Sequence, residues 1–377
     1  MGVFFTWIGM LHPVLQAIVV VLVFLAVVAL ILFLVDIAPR SGTVYTWIRL
    51  AMCVLIPVIV AVLFNSLLWA TIVAAVLGAG LFLLDLRSRQ GSGYLIQLVA
   101  FLTPAALLLL VGLIIPSLKT FVASFMNAAG NKFIGFDNFA WVFTQPDGIR
   151  VVANTIVWVL LVPTVSTIVG LAYAVFIDRT RGEKIYKVLV FMPMAISFVG
   201  ASIIFKFVYA YRDAQYQQIG LLNQILVWLG IPPQQFLLNS PWNTGFLIVV
   251  LIWVQTGFAM VVLSASIKGV PTELLEAAQL DGANPWQRFR SVTVPAIRPA
   301  IIVVLTTISI AALKVFDIVR TMTGGNFETS VLANEMYTQF TNFEAGRSAA
   351  FAVILFVLIL PIIIYNARQI AKQREVR

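Results

Sequence analysis

The chain has 377 residues, 61% of them hydrophobic and only 10% charged, with a mean hydropathy of +1.02. Soluble domains carry about 25% charged residues, so this composition excludes an ordinary water-soluble globule and points to a polytopic membrane protein. The formal charge of +9 lies in short segments between apolar runs rather than in a basic arm. That pattern argues against a nucleic-acid partner and for orientation signals at a bilayer. One cysteine (Cys53) and one histidine (His12) exclude a disulfide framework and a Cys/His metal site.

The opening MGVFFTWIGMLHP lacks the positive n-region of a signal peptide. The apolar run behind it, 14–35, is therefore expected to be a retained helix. The run 50–85 has no charge before Asp85 and is too long for one crossing of about 30 Å. A break near Asn65 and Ser66 divides it into 50–64 and 67–85. Six more spans are expected, at 96–116, 151–177, 187–208, 244–267, 297–317 and 347–367, which makes nine. With the N-terminus outside and the C-terminus cytoplasmic, sixteen of the 24 Lys and Arg residues fall inside and six outside. Lys206 and Lys314 fall within spans. A single bent helix over 50–85 would give eight spans and place Arg40 and Arg49 outside, so nine is preferred. On the outer side, the aromatic stretch NKFIGFDNFAWVF (Asn131–Phe143) predicts a short helix at the membrane interface.

The segment VPTELLEAAQLDGANPWQRFRSVTVPAIRP, Val270 to Pro299, breaks the apolar pattern and falls on the cytoplasmic side. Pro271 suits a first helical position, and Glu273 and Glu276 suit the positive end of a helix dipole. Leu274, Leu275, Ala277 and Ala278 make a partly apolar face with small residues. Gly282 suits the left-handed residue that ends a helix, and Asn284-Pro285 is a second start signal. Trp286, Phe289, Val292 and Val294 continue apolar, and Pro295 and Pro299 are expected to bracket the return to the membrane. The segment thus reads as helix, glycine turn, helix. Pattern alone leaves two roles open: docking into a groove of another protein, or resting on lipid headgroups.

A resemblance bears on that choice. Glu276-Ala277-Ala278, Asp281-Gly282-Ala283, Phe289, Val292 and Pro295 resemble the EAA signature of permease subunits of ATP-binding-cassette importers. FMPMAISFVGASIIFKFVYAYR (Phe191–Arg212) and VFDIVRTMTGGNF (Val315–Phe327) are similar to the MalF-like sugar permeases, in particular the alpha-glucoside branch. The likeness spans about residues 96–368 and leaves 1–90 outside it. It implies an all-α polytopic fold: a six-helix type I importer permease core over 91–377, preceded by extra N-terminal transmembrane helices in 1–90. In such a protein the loop 269–297 couples to the ATPase, through Glu276, Ala277, Ala278, Asp281, Gly282, Ala283, Phe289 and Pro295. The implied partners are a second permease subunit in a heterodimer, two ABC ATPase subunits, an extracytoplasmic sugar-binding protein, the sugar and the lipid bilayer. No cofactor is implied on this chain; ATP and Mg belong to the ATPase. The implied location is a bacterial or archaeal cytoplasmic (inner) membrane.

Two spans flank the loop. In IWVQTGFAM, Gln255, Thr256 and Gly257 lie about eleven residues from the outer end, roughly 17 Å deep and near the midplane. A polar group there is costly unless it faces a bundle interior or a wet cavity; hydrogen bonding of Gln255 to a neighbouring helix is the plainer alternative. In TTISIAALKVFDI, Thr307, Ala311, Lys314 and Ile318 share a helical stripe, with Ile310 and Asp317 beside it. Lys314 is expected either to snorkel and pair with Asp317 or to face solute, and Lys206 to snorkel. By resemblance, the sugar-contacting positions are Val254, Gln255, Phe258, Ile310, Ala311 and Lys314. Ile310, Ala311 and Lys314 depart from the aromatic and asparagines of maltose permeases. The chain has no GxxxxGK[ST] motif for nucleotide, and inside the spans carboxylates stand only at the last position, Asp85 and Asp317, which disfavours a proton-driven carrier. It also has neither HExxH nor GxSxG, which disfavours an intramembrane enzyme.

Overall fold

A computed structural model describes residues 109–375 apart from 178 and 179, together with isolated positions 102 and 106. The expected spans 14–35, 50–64 and 67–85 lie outside the described residues. The chain divides into two compact units, Met1–Ser117 and Leu118–Arg377, and apart from the start of the first helical segment the second carries the elements described below.

The first helical segment begins as a π turn, Leu110–Ile114, and continues as α1, Ile115–Ala123. Pro116 explains the wide turn. A proline has no N–H to donate and its ring presses on the carbonyl four residues back, so opening the ladder to an Ile115-to-Leu110 bond removes the conflict. A short helix, α2 (Asp137–Thr144), forms within the aromatic stretch as expected. It docks onto the protein: Val142 is fully buried, and Asn138 Nδ2 donates to the carbonyls of Ser124 (2.9 Å) and Met126 (2.8 Å).

Four described helices are long and apolar enough to cross a bilayer. They are α3 (Pro146–Ile177), α7 (Trp242–Lys268), the helix ending in α10 (Val294–Leu313), and α13 (Ala345–Glu375) through Asn366. A bent pair passes the same test only when its two halves are taken together as one span, which would bring the count to five. Among these, α7 is the most enclosed, with Leu247, Leu251, Val254, Met260 and Leu263 in a core shared with Trp158 and Val162 of α3 and Ile308 of α10. Outward side chains such as Leu160, Ile168 and Phe176 are apolar and exposed, as hydrocarbon solvent requires.

Two expected spans differ in shape. The stretch 187–208 is not one straight helix but α4 (Glu183–Phe191), a 3-10 turn (Met192–Ala195) and α5 (Phe198–Val208), bent by 102°. Pro193 removes a donor, Ile196 is extended (φ −90°, ψ 139°), and Ser197 caps the new helix by accepting from Gly200 N–H at 3.1 Å. The stretch 297–317 ends early: α10 stops at Leu313, and a new helix α11 runs from Asp317 to Met322. Val315 turns inward and is buried, while Asp317 starts α11 where a carboxylate favours the dipole. The helical stripe expected to join Lys314 to Ile318 is therefore interrupted. The remaining described elements are α6 (Leu221–Trp228), α12 (Leu332–Thr341), and α8 (Thr272–Leu280) and α9 (Pro285–Arg288) in the polar loop.

Candidate functional site

The polar loop is an elbow ordered by its own caps. Pro271, expected as the first helical residue, is instead the residue before α8; its φ of −56° is helical but its ψ of 130° is extended, because the chain turns there after α7 ends at Lys268. The far end of α8 closes as a Schellman motif, with Gly282 N–H donating to Gln279 O and Ala283 N–H to Ala278 O, each at 3.0 Å. Gly282 has φ +80°, the left-handed region where a side chain is strained. A capping box then starts α9: Gln287 N–H donates to Asn284 Oδ1 and Asn284 N–H to Gln287 Oε1, both at 2.8 Å. Arg288 Nη1 donates to Gln279 Oε1 at 2.7 Å and ties the two arms.

The second arm does not stop at Pro295. A π turn over Phe289–Thr293 accommodates the proline, so α9, the turn and α10 form one helix from Pro285 to Leu313. Pro295 and Pro299 thus lie inside a continuous rod. No residue of α8 or α9 is buried within the chain. Glu276, Ala277, Asp281, Gly282 and Pro295 are exposed, and Ala278, Ala283 and Phe289 half-buried. Leu280 is 88% exposed and Trp286 66% exposed. An apolar surface this open on a polar protrusion is one that another surface can cover.

The solute candidates sit on α7 and at the end of α10. Val254 is buried, whereas Gln255 and Phe258 are half-buried, and the Gln255 amide has no hydrogen-bond partner among the described residues. It does not bond a neighbouring described helix. Ile310 and Ala311 are half-buried and Lys314 is exposed where α10 ends. Lys314 and Asp317 form no ion pair among the described residues. Lys206 is exposed, and its Nζ donates to Thr321 O at 3.3 Å in the last turn of α11. Beside Gln255, Gly257 lets the backbone of another helix approach: a Cβ there would lie 2.6 Å from Val190 O and 2.9 Å from Phe191 Cα.

Two polar clusters had no place in the sequence reading. Near the end of α7 that leads into the polar loop, Glu183 Oε1 accepts from Lys187 Nζ (2.7 Å) and Lys268 Nζ (2.5 Å), and Lys187 Nζ also donates to Ser264 Oγ (2.6 Å). Hydrogen bonds from Lys187 and then Lys268 hold the Glu183 carboxyl down at about 2. The Glu183/Lys187 spacing of four is a legible signal; the partners on α7 are not. The loop after α11 carries two consecutive non-glycine residues at positive φ, Phe327 (55°) and Glu328 (64°). Such residues persist only where the surroundings hold them. Here Asn243 Nδ2 donates to Phe327 O (2.7 Å), Asn154 Nδ2 to Glu328 O (2.7 Å), and the Glu328 carboxylate takes Ser240 Oγ (2.5 Å) and Arg150. The polar Asn154 and Asn243 near the ends of apolar runs were the available clue.

A family model, described as binding-protein-dependent transport system inner membrane component, matches residues 166–375. The osmoprotective compounds uptake permease protein GgtC of Synechocystis sp. is 46% identical over 278 residues, covering 74% of this chain and 100% of the relative. The alpha-glucoside transport system permease protein AglF of Rhizobium meliloti is 46% identical over 275 residues, covering 72% and 82%. Among solved structures, a bacterial alginate ABC transporter in complex with an alginate pentasaccharide-bound periplasmic protein superposes with a TM-score of 0.64 at 25% identity, covering 74% of this chain and 96% of its own. Spans, elbow and likeness agree, and the chain belongs to the family of binding-protein-dependent transport system inner membrane components, the permease subunits of ABC importers.

Proposed function

We propose that this chain is one of two permease halves of an ATP-driven importer for an oligosaccharide of the alpha-glucoside class. The observation that carries the proposal is the exposed, capped elbow whose second arm is continuous with α10. A rod that protrudes on one side of the membrane and carries Ile310 and Ala311 in its last turn can transmit displacement to solute-facing positions without bending. The coupling residues are Glu276, Ala277, Ala278, Asp281, Gly282, Ala283, Phe289 and Pro295, seated in a cleft of a separate ATPase subunit. Gln255 and Phe258, with Val254, Ile310, Ala311 and Lys314, line this chain's half of the solute path. That the Gln255 amide has no partner among the described residues supports that role, because a polar group at mid-span is costly until something polar meets it.

Sugar comes from an external binding protein, ATP and Mg act on the two ATPase chains, and transport proceeds by alternating access. Residues 91–377 form the permease core, residues 1–90 add helices, and the N-terminus lies outside. The sugar class follows the alpha-glucoside relative. The test is the complete importer in proteoliposomes, with sugar uptake and ATP hydrolysis measured together. Glu276→Lys and Gly282→Pro should leave the permease in the membrane but separate hydrolysis from uptake. Unchanged import by either variant rules the coupling assignment out.

A further inference from the structure

We propose that Glu183 is a positioning residue of the coupling path: it locks the cytoplasmic half of the broken span to the end of α7, so that this half moves with the elbow as one body. The proposal rests on the coupling reading above. The Glu183 carboxylate takes one ammonium from its own helix, Lys187, and one from the last residue of α7, Lys268. Lys187 Nζ reaches across as well, to the buried hydroxyl of Ser264 one turn back on α7. Lys268 stands just before Pro271, where the chain turns into the elbow.

A second attachment lies higher on the same pair of helices. At Gly257 the α7 backbone meets Val190 and Phe191 at distances a Cβ would not permit. The eleven residues from 257 to 268 span about 16 Å of helix, so α4 is held to α7 at both ends of that length. Beyond the 102° bend the surroundings change. There α5 packs on α11, with Lys206 donating to Thr321 O, and α5 with the Tyr209 that ends it meets the first half of α7 through the Phe205–Trp253 ring pair at 5.3 Å and Tyr209 Oη donating to Phe246 O at 3.1 Å. A displacement delivered at the elbow therefore enters the broken span through α4, and the Glu183 joint is the attachment nearest its source. A half-buried network of charge-assisted hydrogen bonds suits that duty, because its geometry is directional and its members support one another.

The experiment uses the complete importer in proteoliposomes and reads sugar imported per ATP hydrolysed. In Glu183→Ala this ratio should fall by about ten-fold, within the range of coupling between linked sites. Glu183→Asp, which keeps the carboxylate, should retain most of it. A Cys53→Ser, Glu183→Cys, Lys268→Cys chain should be uncoupled as made and recover when a short bismaleimide bridges the two thiols. A joint that only holds structure together but must open during the cycle would instead be blocked by that bridge. If Glu183→Ala does not assemble with its ATPase, Glu183→Gln, similar in size and uncharged, is read the same way. A wild-type ratio in the uncharged variant, or no recovery on bridging, overturns the proposal. Failure of the unaltered complex to couple ATP to uptake would overturn the coupling reading itself, so the two failures are distinct.

Discussion

Gly257 offers a sharp test of how α7 and α4 are held together. Alanine at this position would put a Cβ 2.6 Å from Val190 O and 2.9 Å from Phe191 Cα. Both obstacles are backbone, which cannot rotate away as a side chain could, so the helices must separate by roughly half an ångström in a close-packed interior. Overpacking of this kind costs about 1–3 kcal/mol. Alanine also favours a helix over glycine by up to about 1 kcal/mol, which offsets part of the loss. Gly245 lies in the same helix with nothing within 4 Å of its added Cβ, so Gly245→Ala carries the propensity gain without the clash. The difference between the two variants isolates the steric cost, expected at about 1–3 kcal/mol. It is measured by SDS titration of the purified permease, followed by tryptophan fluorescence. Uptake should show the same asymmetry, with weaker apparent sugar affinity in Gly257→Ala, because Gln255 and Phe258 flank the displaced backbone. Equal stability of the two variants would refute the close approach.

At Gly282 the obstacle is conformational instead of steric, since its φ is +80° and nothing lies within 4 Å. Gly282→Ala should cost about 1–2 kcal/mol, confined to the elbow. Hydrogen exchange should accelerate over 272–288 with the rest unaffected, and unchanged exchange there would show that the Schellman closure does not order the arm. Asn284→Ala removes one side of the capping box and should destabilise the same segment by about 1 kcal/mol, read by the same exchange. Gln255→Ala breaks no described hydrogen bond of the chain, so expression and SDS resistance should be retained while sugar affinity falls several-fold. Loss of stability with unaltered affinity would show that Gln255 is structural. The Glu183 carboxyl is held down at about 2 by Lys187 and Lys268. Its folded value lies below the unfolded one, so its contribution is present above the unfolded value of 4.5 and is lost as pH falls through about 2. Coupling in wild type and Glu183→Gln should therefore differ by the same factor from about pH 8 down to about pH 5.5. A factor that shrinks within that window would contradict the pair of lysine contacts.

Much of this protein was legible before any coordinates. The apolar lengths located the crossings at 151–177, 244–267 and 347–367, because in a bilayer each backbone donor must be satisfied within its own segment and helix length follows from local composition. The elbow was legible for a similar reason: Gly282 and Asn284-Pro285 act on neighbouring backbone groups. Where the reading went astray it did so at helix ends. Apolar composition does not show that Ile196 is extended, or that Val315 leaves the helix to bury itself, and it moved Pro271 one residue into α8. The joints between segments were beyond the sequence altogether. Glu183 meets Lys268 across 85 positions, and Asn154 reaches Glu328 across 174. The sequence by itself determined which stretches are helical and where the polar elbow stands, because those choices are made by backbone groups a few residues apart. The tertiary structure alone decided where a span breaks and which charges meet, because those depend on how closely helices approach and on what lies opposite each side chain once they have packed.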